Sequence, residues 1–253
     1  MNKSNKKHTF ILTGAHLKWI ALSTMLIDHI GAVLLETGPL PLTADAVLAG
    51  NSFRYLPADY TFWYTINFIL RLIGRIAFPL YCFLLVEGFF HTKSLLKYTL
   101  RLGMFALISE VPYDLARSGS PIDFEMQNVY FTLLIGLLVL WAMKELDASL
   151  PVHMAPVKYL AALTGMMIAE FLQTDYSAFG VLLIVLLFLF HNNRKQQCIL
   201  GAVSTLWEYT APLAFLLTWH YNGERGKQLP KYFFYTFYPL HLLLLSVLRT
   251  FIF

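Results

Sequence analysis

Two ionisable residues, Asp28 and His29, stand side by side within a long apolar stretch that runs from Lys18 to Glu36. An ionisable side chain at the centre of a bilayer costs roughly 2.5–3.5 kcal/mol on insertion scales, so such residues usually have a function. A polar pair that only packs helices together is the alternative, although Ser, Thr and Asn generally serve that purpose. We therefore predict that Asp28 and His29 are catalytic, with His29 as general base because imidazole titrates near neutrality.

Lys18 lies eleven residues before His29. On an α-helix this separation is about three turns and about 16.5 Å, so Lys18, Leu22, Met25 and His29 share one stripe. The stripe would carry a cation at one membrane surface and an imidazole near mid-depth. We interpret this helix as the core of a membrane-embedded catalytic site.

Arg71 and Arg75 are one helical turn apart in RLIGRIAFP. We predict that Arg71 extends to the outer membrane surface, since long basic side chains do so easily. Arg75 is deeper and precedes Pro79 by four residues, so the proline ring removes the hydrogen bond to the Arg75 carbonyl. A buried arginine needs a carboxylate or an anionic ligand. We predict that Arg75 is functional and that Asp28 is its carboxylate.

The last apolar stretch contains a second histidine, His241, ten residues after Lys231. If Lys231 lies at the same surface as Lys18, His241 is about 15 Å deep, which matches the depth of His29. Pro239 frees the Tyr235 carbonyl and should kink the helix. We therefore predict that His241 is also catalytic. The repeated tyrosines of this helix are explained in part by an aromatic belt at the membrane surface.

Other polar residues leave their roles open. The sequence does not show which buried glutamates are functional and which only pack. They are Glu87, paired with His91, and Glu110, Glu170 and Glu208. Asn128 and the pair Asp175–Tyr176 precede apolar stretches, where they could be either helix N-caps or site residues.

The composition indicates a membrane protein. Of 253 residues, 57% are hydrophobic and 13% are charged, whereas soluble domains are about 25% charged. The net charge of +4 comes from scattered basic residues, which favours orientation in a membrane over nucleic-acid binding. Cys82 and Cys198 stand in apolar segments and are expected only to pack. No metal site is expected.

We predict an all-α, polytopic transmembrane bundle of about eight to nine membrane helices, some of them short or kinked. Residues 1–16 would form a short basic cytoplasmic tail, and residues 17–253 the membrane domain. The predicted helices cover 17–36, 62–90, 95–116, 128–143, 157–172, 176–191 and 232–252, with 37–62 as an external loop. Charge placement predicts a cytoplasmic N-terminus in the cytoplasmic membrane, with Lys93, Lys97 and Arg101 on the same side.

The region 198–220 is broken by Glu208 and Pro212. It could be one kinked membrane helix or a hairpin of two short helices. We favour the hairpin because it keeps Arg225, Lys227 and Lys231 on the cytoplasmic side.

Several motifs together resemble the TraX family. They are the Lys18-to-His29 spacing with its IDH tripeptide, GRIAFPL at 74–80, EGFFHT at 87–92, DYSAFG at 175–180 and FYPLH at 237–241. The TraX family includes the membrane enzyme that N-acetylates F-type conjugative pilin. A basic residue separated from a histidine by ten other residues is also similar to a pattern of the wider integral-membrane acyltransferases.

The resemblance implies an acetyl-CoA-dependent acetyltransferase that acts in or across the membrane. It implies acetyl-CoA as donor and a pilin-like protein or an envelope glycan as acceptor. Lys18, Asp28, His29, Arg75, Tyr238 and His241 occupy positions that match family motifs. In this interpretation Lys18, Lys93, Arg101 and Tyr238 bind the donor, and Arg75 or His241 stabilises the oxyanion.

Two other function classes compete with this reading. Buried histidines, carboxylates and Pro-broken helices also suit a transporter or proton relay. A non-catalytic scaffold for pilus or envelope assembly is the third class, in which Asp28 and His29 would both be replaceable. The acceptor and the oligomeric state do not follow from the sequence.

Overall fold

The computed structural model describes residues 11–36, 58–227 and 230–252. Most of the predicted basic tail and most of the predicted external loop, including Arg54, lie outside these residues. The ten α-helices of the described part are α1 Gly14–His29, α2 Ala58–Gly74, α3 Ala77–His91, α4 Leu95–Ser118, α5 Val129–Ser149, α6 Lys158–Phe171, α7 Ser177–Leu189, α8 Arg194–Ser204, α9 Ala214–Trp219 and α10 Lys231–Ile252. The predicted all-α class is confirmed.

Five helical stretches in the described part of the chain are long and apolar enough to cross a bilayer. They are Gly14–Glu36, Thr61–His91, Val129–Ser149, Val152–Phe171 and Tyr232–Ile252. The predicted total of eight to nine membrane helices also counted α4, α7 and the region 198–220. Helix α4 carries more charge than the five stretches, and the other two segments are shorter. The finding is therefore a membrane protein with five such spans, and the higher count is not confirmed.

The helices run up and down, so each end of the bundle collects alternate helix termini. One end, here called the basic end, holds Gly14, His91 and Tyr221. It also holds several lysines in or near the first turns of helices and in loops: Lys93, Lys97, Lys195 and Lys227. The opposite end holds Glu36 and Ser118. Contacts across the bundle fix this assignment, since the Arg249 guanidinium near the end of α10 caps α4 by donating to the Leu115 and Ala116 carbonyls.

The region 198–220 forms a hairpin. Helix α8 has 11 residues and α9 has 6, so each arm is at most about 17 Å long and neither can cross a bilayer. The hairpin as a whole starts and finishes at the basic end. The guanidinium of Arg194, where α8 begins, lies 5.3 Å from the ring of Tyr221, which follows α9. The Asn222 amide donates to the Leu12 carbonyl. The favoured hairpin therefore agrees with the structure.

Two local irregularities position the site. Directly after His29 the helix continues as a π-helix, Ile30–Glu36, and such widened turns are frequent at functional sites. The stretch containing α2 and α3 is interrupted between Gly74 and Ala77, where Pro79 prevents the Arg75 carbonyl from receiving its helical hydrogen bond. The interruption turns Arg75 out of a regular helix.

In helix α10 a tyrosine side chain replaces the hydrogen bond that Pro239 removes. Pro239 leaves the Tyr235 carbonyl without a helical donor, and the buried Tyr130 hydroxyl donates to it at 3.1 Å. This bond ties α5 to α10 beside the site. Cys82 and Cys198 are both buried free thiols.

Candidate active site

His29 and His241 contact one another in the interior of the bundle. His29 Nδ1 and His241 Nε2 are 2.6 Å apart, and the two rings lie nearly parallel with centroids 4.9 Å apart. His29 is half-buried, whereas His241 is 5% exposed. The structure thus brings together the two histidines whose depth along their helices was expected to match.

The hydrogen bonds of His241 set the proton positions of the pair. His241 Nδ1 lies 2.7 Å from the Phe237 carbonyl oxygen, which only accepts, so this nitrogen must carry a proton. In a neutral ring Nε2 of His241 is then the acceptor. His29 Nδ1 must donate to it, and His29 Nε2 keeps the lone pair. A general base needs that lone pair.

A cavity of about 60 Å³ lies against His29. Its wall is mostly apolar and aromatic and contains few polar groups, which is typical of a small-molecule site. The lining residues are Met25, Asp28, His29, Gly74, Ala77, Phe78, Tyr81, Val129, Tyr130, Leu133, Asp175, Tyr176, Phe234 and Tyr238. They come from α1, α2, α3, α5, α10 and the loop before α7, so the cavity is built by the bundle as a whole.

Tyr238 is the aromatic residue most closely associated with the histidine pair. Its ring meets those of His29 and His241 edge-on at 5.9 and 5.8 Å. Its hydroxyl interacts with the Val129 amide at the first turn of α5. A phenolic hydroxyl can donate as well as accept, so Tyr238 can donate to a group in the cavity.

Asp28 pairs with Arg71 rather than with Arg75. Arg71 Nη1 lies 2.5 Å from Asp28 Oδ2, and Arg71 Nε lies 3.2 Å from Glu36 Oε1. Two carboxylates thus hold the Arg71 guanidinium, and one of them, Glu36, lies at the opposite end of the bundle. The extension of Arg71 to the outer membrane surface stays a prediction. Asp28 packs directly on Gly74, where a Cβ atom would lie only 2.1 Å from Asp28 Oδ1.

Arg75 instead bridges to the tip of the α8–α9 hairpin. Its Nε lies 3.0 Å from Glu208 Oε2, and its guanidinium interacts with the Tyr176 side chain. Asp28 is thus not its direct carboxylate, and Arg75 is not among the residues lining the His29 cavity. The position of Arg75 does not support the predicted oxyanion role, because the arginine lines a different cavity at the opposite end of the bundle.

The loop that carries Asp175 and Tyr176 is held in a strained conformation. Gln173, Tyr176 and Ser177 all have positive φ values, of 50°, 64° and 45°, which cost of order 1–3 kcal/mol each for residues other than glycine. The Tyr176 ring compensates by stacking on Phe78 at 3.6 Å. Strain of this kind is often maintained at functional sites.

Asp175 belongs to the walls of two cavities. It lines both the first cavity and a larger one of about 440 Å³ at the opposite end, as does Tyr176. Burial, together with the negative charge of Asp28, raises the pKa of the Asp175 carboxyl to about 7. Glu125, Glu170 and Glu208 also line the larger cavity, so it is rich in carboxylates.

The predicted donor-binding residues fall in three places. Tyr238 lies in the cavity wall. Lys18 lies at the basic end with its ammonium 5.3 Å above the Phe234 ring, and Phe234 lines the cavity. Lys93 is exposed between α3 and α4, and Arg101 packs over Tyr235 at 5.1 Å. Neither of the last two lines the cavity.

The unranked polar residues now have partners. Asn128 is an N-cap, because its Oδ1 accepts from the Tyr130 amide, and its amide donates to Glu110. Glu87 accepts from His191 at 3.1 Å near the basic end, whereas Glu170 accepts from Ser177. Asp175–Tyr176 provides no side-chain cap to α7.

Sequence reasoning missed Tyr81 and Tyr130 as cavity residues. Each stands in a strongly apolar helix, where a tyrosine is an ordinary packing residue. Their only sequence signal was a hydroxyl within a stretch long enough to cross the membrane. Arg225 was used only as an orientation charge, although the structure places it beside Lys18.

Comparison with known proteins identifies the family. The family described as TraX protein matches residues 13–249. A relative from Dichelobacter nodosus, named probable fimbrial assembly protein FimC of serogroup H1, is 29% identical over 93% of this chain and 95% of its own length. No solved structure matches. Since the family match covers nearly the whole chain, this protein is a membrane protein of the TraX family.

Proposed function

We propose that this protein is an acetyl-CoA-dependent acetyltransferase that works within the membrane. The observation that carries the proposal is the His29–His241 pair, which presents a proton-accepting imidazole nitrogen beside a small, mostly apolar cavity. A thioester and a small acyl group suit such a wall, and the transfer needs one general base. Membership of the TraX family supports this reaction class.

The transfer uses His29 Nε2 as base. An acceptor amine or hydroxyl attacks the thioester carbonyl while Nε2 takes its proton, and the imidazolium then protonates the departing thiolate. A new N–C or O–C bond replaces the S–C bond, so the products are the acetylated acceptor and free coenzyme A. Attack by Nε2 itself would form an acetyl-histidine instead, and retention of labelled acetyl on protein without acceptor distinguishes that route.

Tyr238 is the proposed donor to the oxyanion. Its hydroxyl lies in the cavity wall and can donate, whereas the N–H of His241 is committed to the Phe237 carbonyl. A well-placed donor contributes on the order of 3–4 kcal/mol to an oxyanion transition state. His241 therefore orients His29 in this proposal and does not stabilise the oxyanion.

The two ends of the bundle suit different substrates. The basic end favours a cytoplasmic location by the positive-inside rule, and acetyl-CoA would enter there, past Lys18. The carboxylate-rich cavity at the opposite end, which shares Asp175 and Tyr176 with the His29 cavity, would admit the acceptor. The relative named a fimbrial assembly protein favours a pilin-like acceptor, and an envelope glycan is the alternative acceptor.

Acetylation of envelope components tests the function directly. Mass spectrometry of pilin-like proteins and envelope glycans, with and without the gene, should reveal an acetyl group that depends on the protein. A His29→Ala variant should lose about 10²- to 10⁴-fold of the activity, which is the usual contribution of a general base. The matched control is His153→Ala, because His153 is an exposed histidine. Full activity of correctly inserted His29→Ala protein would refute the assignment.

Transport is the second candidate, because the chain has a helix break at Arg75 and a hairpin that does not cross the membrane. Broken helices of this kind form substrate sites in transporters. Saturable binding of labelled acetyl-CoA to the detergent-solubilised protein favours the enzyme. Proton-driven flux in vesicles without such binding favours transport.

A further inference from the structure

The hydrogen bonding of α10 is interrupted just before His241. Pro239 precedes His241 by two residues, and its ring removes the helical hydrogen bond to the Tyr235 carbonyl. Such a break loosens the helix axis, so the orientation of the half that follows depends on contacts from other helices. The 2.6 Å contact between His241 and His29 depends on that orientation.

Tyr130 of α5 supplies the donor that the proline removes. Its hydroxyl donates to the Tyr235 carbonyl at 3.1 Å, and the tyrosine is only 8% exposed. A buried carbonyl without a partner is costly, so this bond favours the arrangement of α10 in which it forms. Tyr130 also lines the His29 cavity, but the proton of its hydroxyl is directed to α10.

The position of Tyr130 is itself fixed by α4 and α10. The Asn128 side chain accepts from the Tyr130 amide at 3.0 Å and donates to the Ala106 carbonyl of α4 at 2.8 Å. The Tyr130 ring meets the Tyr238 ring edge-on, with centroids 5.0 Å apart. The hydroxyl therefore has a defined place in the bundle from which it holds the broken turn of α10.

Helix α4 holds the same turn through the ring of Tyr235. This ring stacks on Phe105 with centroids 5.2 Å apart, and the Arg101 guanidinium lies 5.1 Å from it. The backbone of Tyr235 thus contacts α5, and its side chain contacts α4. Because His241 Nδ1 is bound to the Phe237 carbonyl, the histidine ring follows the backbone of α10 wherever the broken turn places it.

We propose that Tyr130 is a positioning residue for the histidine pair: its bond to the Tyr235 carbonyl holds α10 so that His241 meets His29. The hydroxyl acts through the backbone of α10 and not on substrate. This inference rests on the proposed function only where it concerns the rate of acetyl transfer, because the geometry of the pair is measured without substrate.

The proton between the two histidines reports their contact. His29 Nδ1–H donates to His241 Nε2 at 2.6 Å, and an imidazole proton in so short a hydrogen bond resonates far downfield in ¹H NMR. In ¹⁵N-histidine-labelled full-length protein in detergent, His29→Ala assigns this signal by removing it. We expect Tyr130→Phe to broaden the signal or move it upfield. The control Tyr159→Phe should leave it unchanged, because Tyr159 is an exposed residue of α6.

The rate of acetyl transfer should follow the same pattern. With labelled acetyl-CoA and membranes that contain each variant, Tyr130→Phe should be slower than wild type by roughly three- to tenfold, the usual effect of one hydrogen bond. Tyr159→Phe should transfer at the wild-type rate.

A double-mutant cycle with Pro239→Ala tests whether Tyr130 acts through the carbonyl. Pro239→Ala restores a backbone amide at position 239, which can donate to the Tyr235 carbonyl in place of Tyr130. Tyr130→Phe should therefore lower the Tm in detergent by about 2–4 °C in the native background, and by a markedly smaller amount in the Pro239→Ala background.

Three results would overturn the proposal: a wild-type protein without the downfield proton, a signal unaltered by Tyr130→Phe, and a Tm loss of equal size in both backgrounds. In the second case, slower acetyl transfer by Tyr130→Phe would mean that the hydroxyl acts on substrate from the cavity wall. If the wild type transfers no acetyl group, the proposed function fails, whereas the proton signal and the Tm values still decide the role of Tyr130.

Discussion

His241 acts on the proposed chemistry through the ring of His29. The Phe237 carbonyl holds a proton on His241 Nδ1, and His241 Nε2 holds a proton on His29 Nδ1. The arrangement follows the logic of nucleophile, base and orienting group that recurs in acyl-transfer enzymes. A backbone carbonyl here takes the place that a carboxylate occupies in the familiar triads, so the pair requires no buried charge.

The first prediction separates orientation by His241 from a merely structural role. His241→Leu removes the acceptor for His29 Nδ1–H, so it should lower kcat by on the order of 10²-fold with little change in the KM for acetyl-CoA. His241→Gln offers an amide oxygen as acceptor and should restore part of the rate. Steady-state kinetics of both variants check this, with His153→Leu as control. Equal losses in His241→Leu and His241→Gln would contradict the orienting role.

The second prediction concerns Asp175 and pH. Its pKa rises on folding from 3.8 to about 7, so between these values the folded protein binds more protons than the unfolded chain. The contribution of Asp175 to stability is therefore complete below about pH 4 and is lost as the pH rises to about 7. Asp175→Asn should flatten this part of the stability profile, measured as Tm against pH in detergent. The same slope in Asp175→Asn and wild type would show that other groups cause it.

Single residues were predictable from the sequence where depth alone decided their position. His29 lies eleven residues after Lys18 and His241 ten residues after Lys231, and these similar distances indicated a common depth for the two histidines. The partners of Arg71 and Arg75 were not predictable in the same way, because the two arginines share one helix face and a shift by one turn along the axis would exchange them. Gly74 settles the choice: the space over its missing side chain receives Asp28 and directs that carboxylate to Arg71.

Helix α1 and the α2–α3 stretch are locked together at Gly74, and the third prediction follows from that contact. In Gly74→Ala the new methyl group would lie 2.1 Å from Asp28 Oδ1, so one of the two helices must move. Overpacking of this kind costs typically 1–3 kcal/mol. The Tm of the solubilised protein should fall, and acetyl-CoA binding should weaken because His29 follows Asp28.

Gly103→Ala is the matched control for Gly74→Ala. Both glycines are helical, but a Cβ at Gly103 would approach only the Leu134 side chain, at 3.6 Å. This is an ordinary contact, and alanine has the better helix propensity, by up to about 1 kcal/mol. Gly103→Ala should therefore be neutral or slightly stabilising. If both variants shift the Tm alike, the close approach of α1 and α2 is not what Gly74 provides.

Helix existence could be predicted from the apolar stretches, but the irregular segments that shape the site could not. The predicted 62–90 span corresponds to Thr61–His91, because length and hydrophobicity decide whether a segment enters the membrane. The π-helix after His29 and the positive φ values at 173, 176 and 177 depend on tertiary contacts such as the stacking of Tyr176 on Phe78. No local pattern encodes those contacts.

In the proposed function, the bundle as a whole places one reacting centre between two entrances. The cavity at His29 reaches Phe234 towards the basic end and Asp175 towards the opposite end. A donor and an acceptor could therefore meet from the two sides of a membrane without either crossing it. The α8–α9 hairpin contributes to this by placing Glu208 beside Arg75, at the side where the proposed acceptor would enter.

The last prediction tests this architecture through the hairpin. Lys195 and Asn222 flank it and are exposed at the basic end. We expect single cysteines at 195 and 222 to react with a membrane-impermeant maleimide only after the cells are permeabilised. The native thiols, Cys82 and Cys198, are buried, so background labelling should be low. If 198–220 crossed the membrane once, positions 195 and 222 would label from opposite sides. That result would contradict the hairpin and the hydrogen bond that joins the Asn222 amide to the Leu12 carbonyl.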